Sequence, residues 1–252
     1  MVGMSRQPAV PTGPDGSGEL AVTSRTALRR MRERGRHDRA TIDAILDEGL
    51  LCHVAFADEG SPMVLPMAYT RVDDVVYLHG AVGNHLLRQL VDGAEACVIV
   101  TLLDGIVLAR SAFHHSLNYR CVVLFGPVTR VRDEAEQQLA SAALLDHIAP
   151  GRSGDARRPT SEELRSTLIV RFPIEEGSAK IRSGGPKDDV EDIDLPVWAG
   201  WLPLHQVVGD AVPAPDLPPG TTVPGYVSDY PPRHGPSNPG SGSAPGSEQD
   251  PA

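Results

Sequence analysis

The chain has 252 residues, a net charge of −10, and 23 prolines of which eleven follow Gly209. That charge argues against a nucleic-acid binder, which needs a basic face to displace counterions from phosphates. No apolar run approaches the roughly 18 residues that span a bilayer, and residues 1–24 offer no apolar signal segment, so a cytoplasmic protein is expected.

Residues 1–24 and 209–252 are rich in Pro, Gly and Ser and poor in large apolar groups. Such segments bury too little surface to offset their ordering entropy and read as disordered tails. One domain with a sizeable core is left over 25–208. Its entry carries Arg25, Arg29, Arg30, Arg32, Arg34, Arg36 and Arg39, a basic arm that reads as packing on an acidic surface.

Residues 38–49 place Ile42, Ile45 and Leu46 at helical spacing behind an Asp38 N-cap, with Gly49 where a left-handed residue ends a helix. Residues 50–57 and 63–70, joined by the turn 58–62, form a hairpin. Pro66 interrupts its second strand and marks a bulge, an edge or a place where a ligand meets the backbone. Residues 75–79 make a strand, and Gly80 to Asn84 break it before a helix over 85–91. Strand, glycine loop and helix start is a possible anion cradle, although such a loop is commonest as a plain turn.

Residues 94–103 and 106–111 read as two strands joined by an Asp104-Gly105 hairpin turn. The buried-looking strand 119–125 carries Arg120 on the face of Val122 and Leu124, where a guanidinium needs a carboxylate or a phosphate. Either a structural ion pair or an anion site satisfies that need. His114 and His115 are adjacent on extended chain and point opposite ways, so no metal site is expected. A helix over 133–147 with Leu139, Ala143 and Leu144 inward, a Thr160–Glu163 capping box and a strand over 168–172 follow. In 176–182, Lys180 and Arg182 share one side if the segment is extended, either solvated or facing an anion across a subunit seam. Cys52, Cys97 and Cys121 lie in apolar runs and read as reduced core thiols.

About seven short strands with helices between them indicate a mainly β, α+β antiparallel barrel, not a doubly wound sheet. No GxGxxG follows the first strand, which disfavours a Rossmann site. No Ser-His-Asp order or carboxylate pair suggests hydrolysis.

Three motifs carry a resemblance: His79-Gly80-Ala81, the run Ser111-x-x-His114-His115-Ser116-x-Asn118-Tyr119-Arg120, and Leu195-Pro-Val-Trp198-Ala-Gly-Trp201-Leu-Pro-Leu204. Over about 25–205 the chain resembles the pyridoxamine 5'-phosphate oxidase-like, FMN-binding split-barrel family, in the branch with the nitroimidazole-resistance proteins. The resemblance implies an antiparallel split β-barrel and an FMN cofactor that carries the redox chemistry. It implies a homodimer sharing each flavin between two subunits, with Trp198 and Trp201 near the seam. By the same resemblance Val64, Leu65, Pro66 and Met67 line the flavin ring. His79, Gly80, Ala81, Gly83, Asn84 and His85 surround the phosphate end, with His85 where the family often has Lys or Arg. Asn118, Arg120, Lys180, Arg182 and Trp198 complete the implied set, and His79 is the one catalytic candidate. The Trp198–Leu204 ending lacks the Arg- and His-bearing substrate motif of true pyridoxamine phosphate oxidases. The reading is therefore an FMN-dependent oxidoreductase acting on a small molecule. Its alternatives are a nitroimidazole-reductase-like resistance protein, or a non-catalytic flavin, deazaflavin or haem protein with His79, His114 or His115 as axial ligand.

Overall fold

A computed structural model describes residues 18–230. Helix α1 (Arg39–Glu48) starts where the Asp38 side chain accepts a hydrogen bond from Thr41 N at 2.8 Å, and it buries Ile42, Ile45 and Leu46. Gly49 ends it with φ −72°, not in the left-handed region. Glycine is needed there for close approach instead. A Cβ would lie 2.5 Å from Val100 Cγ1 and 2.8 Å from the Tyr69 hydroxyl, and Tyr69 donates across that gap to Leu46 O at 2.5 Å.

β1 (Gly35–Arg36), β2 (Leu51–Asp58), β3 (Ser61–Val72), β4 (Val75–Ala81), β5 (Ala96–Leu108), β6 (Ser116–Gly126), β7 (Thr129–Arg130), β8 (Thr167–Pro173), β9 (Glu176–Arg182) and β10 (Gly200–Pro203) form one antiparallel sheet. Its order is β1-β9-β6-β5-β2-β3-β4-β8-β7, with β10 added to β5. β3 pairs with β2 over its first eight residues and with β4 over its last four. One strand thus serves both halves, and the sheet is a split barrel of mainly β, α+β class. Alternation sends Cys52, Val54 and Phe56 of β2 inward, against Val98, Val100, Val122 and Leu124.

The hairpin expected at Asp104-Gly105 does not form. β5 runs straight through as one strand, and the register against β6 shifts by one between Leu103 and Gly105. Asp104 is the extra residue of a β-bulge. Leu103 and Ile106 therefore both face outward, while Asp104 and Gly105 both face inward and are buried.

Short helix α2 (His85–Val91) follows β4, capped by the Asn84 side chain on Leu87 N at 3.0 Å. Helix α3 (Glu134–Ile148) lies over the outer face of β3, β4 and β8, tied by Thr70 Oγ1 donating to Ala143 O at 3.2 Å and Tyr77 donating to Glu136 at 2.8 Å. Its small residues set the seating: Ala140 is its one buried residue, and Leu139, expected inward, is exposed. Helices α4 (Arg152–Asp155) and α5 (Ser161–Ser166) close this layer, α5 with the expected Thr160–Glu163 capping box.

The acidic run after β9 is not free: Asp188 accepts from Arg110 N at 2.9 Å and Arg110 Nη1 at 2.8 Å, and Asp189 meets His114 at 3.0 Å. The chain past 209 also differs from expectation as far as Tyr230. Helix α6 (Gly225–Ser228) is fastened to α4 by Tyr226 donating to Asp155 at 2.7 Å and accepting from Arg152 at 2.9 Å. The rest of the tail and residues 1–17 lie outside the described residues. Among these, no helix is long and apolar enough to cross a membrane. The three cysteines are free thiols, and burial pushes Cys52 up to about 12.

Candidate functional site

Arg120, whose place on β6 calls for a carboxylate or a phosphate, is met by two carboxylates of its own chain. Its Nε donates to Asp104 Oδ2 at 3.0 Å and its Nη2 to Asp104 Oδ1 at 2.9 Å and Glu48 Oε1 at 2.8 Å, while Nη1 reaches Glu48 Oε2. Strand alternation in the continuous β5 aims Asp104 inward with Val100 and Leu102, and the end of α1 supplies Glu48. Both carboxylates raise the Arg120 pKa. Of the two readings left open by the sequence, the structural ion pair is the one present.

The remaining candidates fall into two groups. The first lies where β2, β3, β4 and α2 meet. Val64, Leu65 and Pro66 are exposed, and Met67 is half-buried against the core. β4 takes up the second edge of β3 only from Tyr69, so among the described residues 61–67 has one edge without a strand. Pro66 sits on that edge in unbroken register with His53, so it is no bulge, and the backbone beside it is open. Gly80 and Ala81 end β4, and a Cβ on Gly80 would come within 3.2 Å of Asn84 Nδ2. Gly83 is exposed, Asn84 is used as the N-cap, and His85 is held by Asp58 at 2.8 Å.

The second group is Asn118, Lys180, Arg182 and Trp198. Arg182 is 7% exposed and no carboxylate meets it among the described residues. Its guanidinium donates to Asn118 Oδ1, to Gly184 O at 2.6 Å and to Gly185 O at 2.9 Å. Burial, then the nearby Arg34, push its pKa below the usual arginine value. Asn118 is buried beside it and its Nδ2 has no hydrogen-bond partner. A buried cation without an anion, next to an orphaned amide donor, is the arrangement that a phosphate or carboxylate would complete. Lys180 is half-buried opposite Cys121. Trp198 is 64% exposed and lies against Gly200.

One chain does not bring the two groups together. Pro66, His53, Ile99 and Val123 face one another across four strands, which puts Val123 about 14 Å from Pro66, and Asn118 lies five residues, roughly 17 Å, further along β6. Between them runs an apolar outer face: Leu51, Ile99, Val123, and at the far end Ile106, Leu117 and Leu202 as cross-strand neighbours.

A separate cavity of about 310 Å³ lies beneath α3 and α5. Leu144, Leu145, Leu164 and Ile169 form much of its wall, and Tyr77 and His79 enter it from β4. Its lining is mostly apolar, and α3 contributes the small Ala140 and Ser141 beside Leu144 and Leu145. His79 stands at the mouth, open to solvent on one side. Desolvation on the other lowers its pKa. No ring nitrogen of His79 has a hydrogen-bond partner among the described residues. By contrast His37, His85, His114, His115 and His147 are each engaged. Sequence reasoning singled out His79 but missed the cavity, since nothing in the 3.6-residue pattern of α3 says how far it stands off the sheet. It also missed His53, exposed on the outer face beside Pro66.

Residues 38–181 match the family model described as pyridoxamine 5'-phosphate oxidase. A search of curated proteins finds no match. Among solved structures, the chain is similar to the flavocytochrome Anf3 from Azotobacter vinelandii, with 34% identity and a TM-score of 0.78 over 82% of this chain and 96% of that one. It is similar also to the FAD and heme binding protein from Mycobacterium smegmatis, with 38% identity and a TM-score of 0.74 over 77% and 96%. A candidate 5-nitroimidazole antibiotic resistance protein from Bacteroides thetaiotaomicron shares the fold at 20% identity and a TM-score of 0.51, over 58% and 86%.

Proposed function

Because the chain belongs to the pyridoxamine 5'-phosphate oxidase family, we propose that it is a flavin-dependent oxidoreductase acting on a small molecule as a homodimer, with a flavin at each subunit seam. The observation that carries this reading is the buried Arg182 with the unpartnered Asn118 Nδ2 in front of it. The flavin supplies the redox chemistry when bound. Arg182 and Asn118 meet its phosphate. The open edge of 61–67, with Val64, Leu65 and Pro66, takes the ring through backbone and apolar contacts. Those two elements lie too far apart in one chain for one flavin, so they act on it from opposite subunits. Asn84 and His85 are committed to the N-cap and to Asp58, which leaves them a supporting part at most. FMN is the smallest flavin that meets these contacts, and the FAD named in the Mycobacterium smegmatis relative is its competitor.

Absorbance of the purified protein, followed by chromatography of the released flavin, tests the cofactor and its type. Arg182→Ala removes a charged hydrogen bond worth about 1.5 to 3 kcal/mol, roughly a tenfold to hundredfold loss of flavin affinity. Unchanged affinity in a folded Arg182→Ala protein counts against the site. A second group, heme, is favoured by the names of the two relatives above 30% identity and by the free His79 at an apolar cavity.

A further inference from the structure

We propose that the cavity beneath α3 and α5 is the seat of that heme, with the His79 imidazole as its axial ligand. The inference rests on the heme reading above and adds to it the place and the ligand. Three features of the cavity fit a macrocycle that is apolar on its faces and charged at one edge.

The first is the packing of α3. A 15-residue helix that buries one alanine leaves the sheet beneath it short of contacts, and an apolar space of about 310 Å³ is in the range of a ligand site and far beyond a packing defect. A flat apolar group inserted there supplies the missing contacts. The second is the state of His79. It shares the outer face of β4 with Tyr77 and sits opposite Ile169 of β8, and its nitrogens are not committed to the protein. A neutral imidazole with a free nitrogen is what iron requires. The third is charge. Tyr77 stays protonated, pushed up to about 12 by burial and its bond to Glu136, so the inner wall is neutral. The guanidinium of Arg157 stands at the rim, paired with Glu163 at 2.7 Å, where carboxylates of a bound group would emerge into water.

The test uses the full chain, purified and titrated with hemin while the Soret and flavin bands are followed together. The expected result is stoichiometric heme in the wild type and no comparable Soret band in His79→Gly. Added imidazole should restore that band. Ala140→Trp, which fills the cavity from the α3 side, should exclude heme and retain flavin. His53→Ala is the control for an exposed histidine elsewhere and should load normally. A wild type that takes up no heme overturns the heme reading and this site with it. Full loading of His79→Gly with an unaltered spectrum overturns the site alone. Loss of flavin rather than heme in Ala140→Trp also overturns it, because the cavity would then belong to the flavin.

Discussion

With two carboxylates converging on it, Arg120 holds the end of α1 to the inner face of β5 and β6. Replacing it strands Asp104, whose side chain is 4% exposed, as an unpaired buried charge. Arg120→Met should therefore lower unfolding stability by about 3 kcal/mol, measured by urea titration, and Asp104→Asn in the same chain should recover part of the loss. Flavin affinity of the folded variant should stay as in the wild type. His114 gives a pH dependence of known sign. Its bond to Asp189 raises its pKa, so the folded chain holds that proton more tightly than the unfolded one. The contribution is complete below the unfolded pKa of about 6.5 and is lost as pH rises through the raised folded value. Protection factors for hydrogen exchange around 188–192, corrected for intrinsic base catalysis, should fall over that interval and stay flat in His114→Gln. The demand of Arg120 for an anion was legible from its neighbours Val122 and Leu124. Its partners were not: Glu48 is 72 residues away, and Asp104 lay in what read as a hairpin turn, whereas in the continuous strand it alternates inward with Val100 and Leu102.

At the scale of elements, α1, the β2–β3 hairpin, α2 and the α5 capping box were readable because each is set by local chemistry, a cap, a turn or a period. Two elements show where local chemistry is overruled. Asp104-Gly105 carries a strong hairpin signal, yet β6 and β10 pair with β5 on both sides of it, and the ladder they provide outweighs a two-residue turn preference. Gly49 looks like a left-handed helix end, but the space between Val100 and Tyr69 is what excludes a side chain. Gly49→Ala should destabilise the fold by about 1 to 3 kcal/mol, the usual cost of overpacking, seen as a lower thermal midpoint. Gly60, at φ 85° with nothing within 4 Å of a built Cβ, is the comparison. Alanine there meets backbone strain but no clash, so Tyr69 should keep its bond to Leu46 in that variant and lose it in Gly49→Ala.

For the whole molecule, what matters is what covers the outer face of β2, β5, β6 and β10. Leu51, Leu103, Ile106, Leu117 and Leu202 are each at least 36% exposed, and contiguous apolar surface of this kind marks an interface. On the proposed function, a second copy of the chain would cover this face and bring the open 61–67 edge of one subunit to Arg182 of the other. Trp198, which the sequence singled out for a seam, is 64% exposed among the described residues. The sequence could not reveal the distance between the two groups, which follows from strand order alone. Ile106→Asp combined with Leu117→Asp places two charges on cross-strand neighbours at the far end of that face. Both side chains are solvent-exposed, so the fold should survive, and sedimentation should show a monomer that has lost its flavin. Trp198→Ala should weaken both properties together. A monomeric variant that still binds one flavin per chain with wild-type affinity would show that each subunit holds its flavin alone. The orphaned Asn118 donor would then have to be satisfied from within one chain.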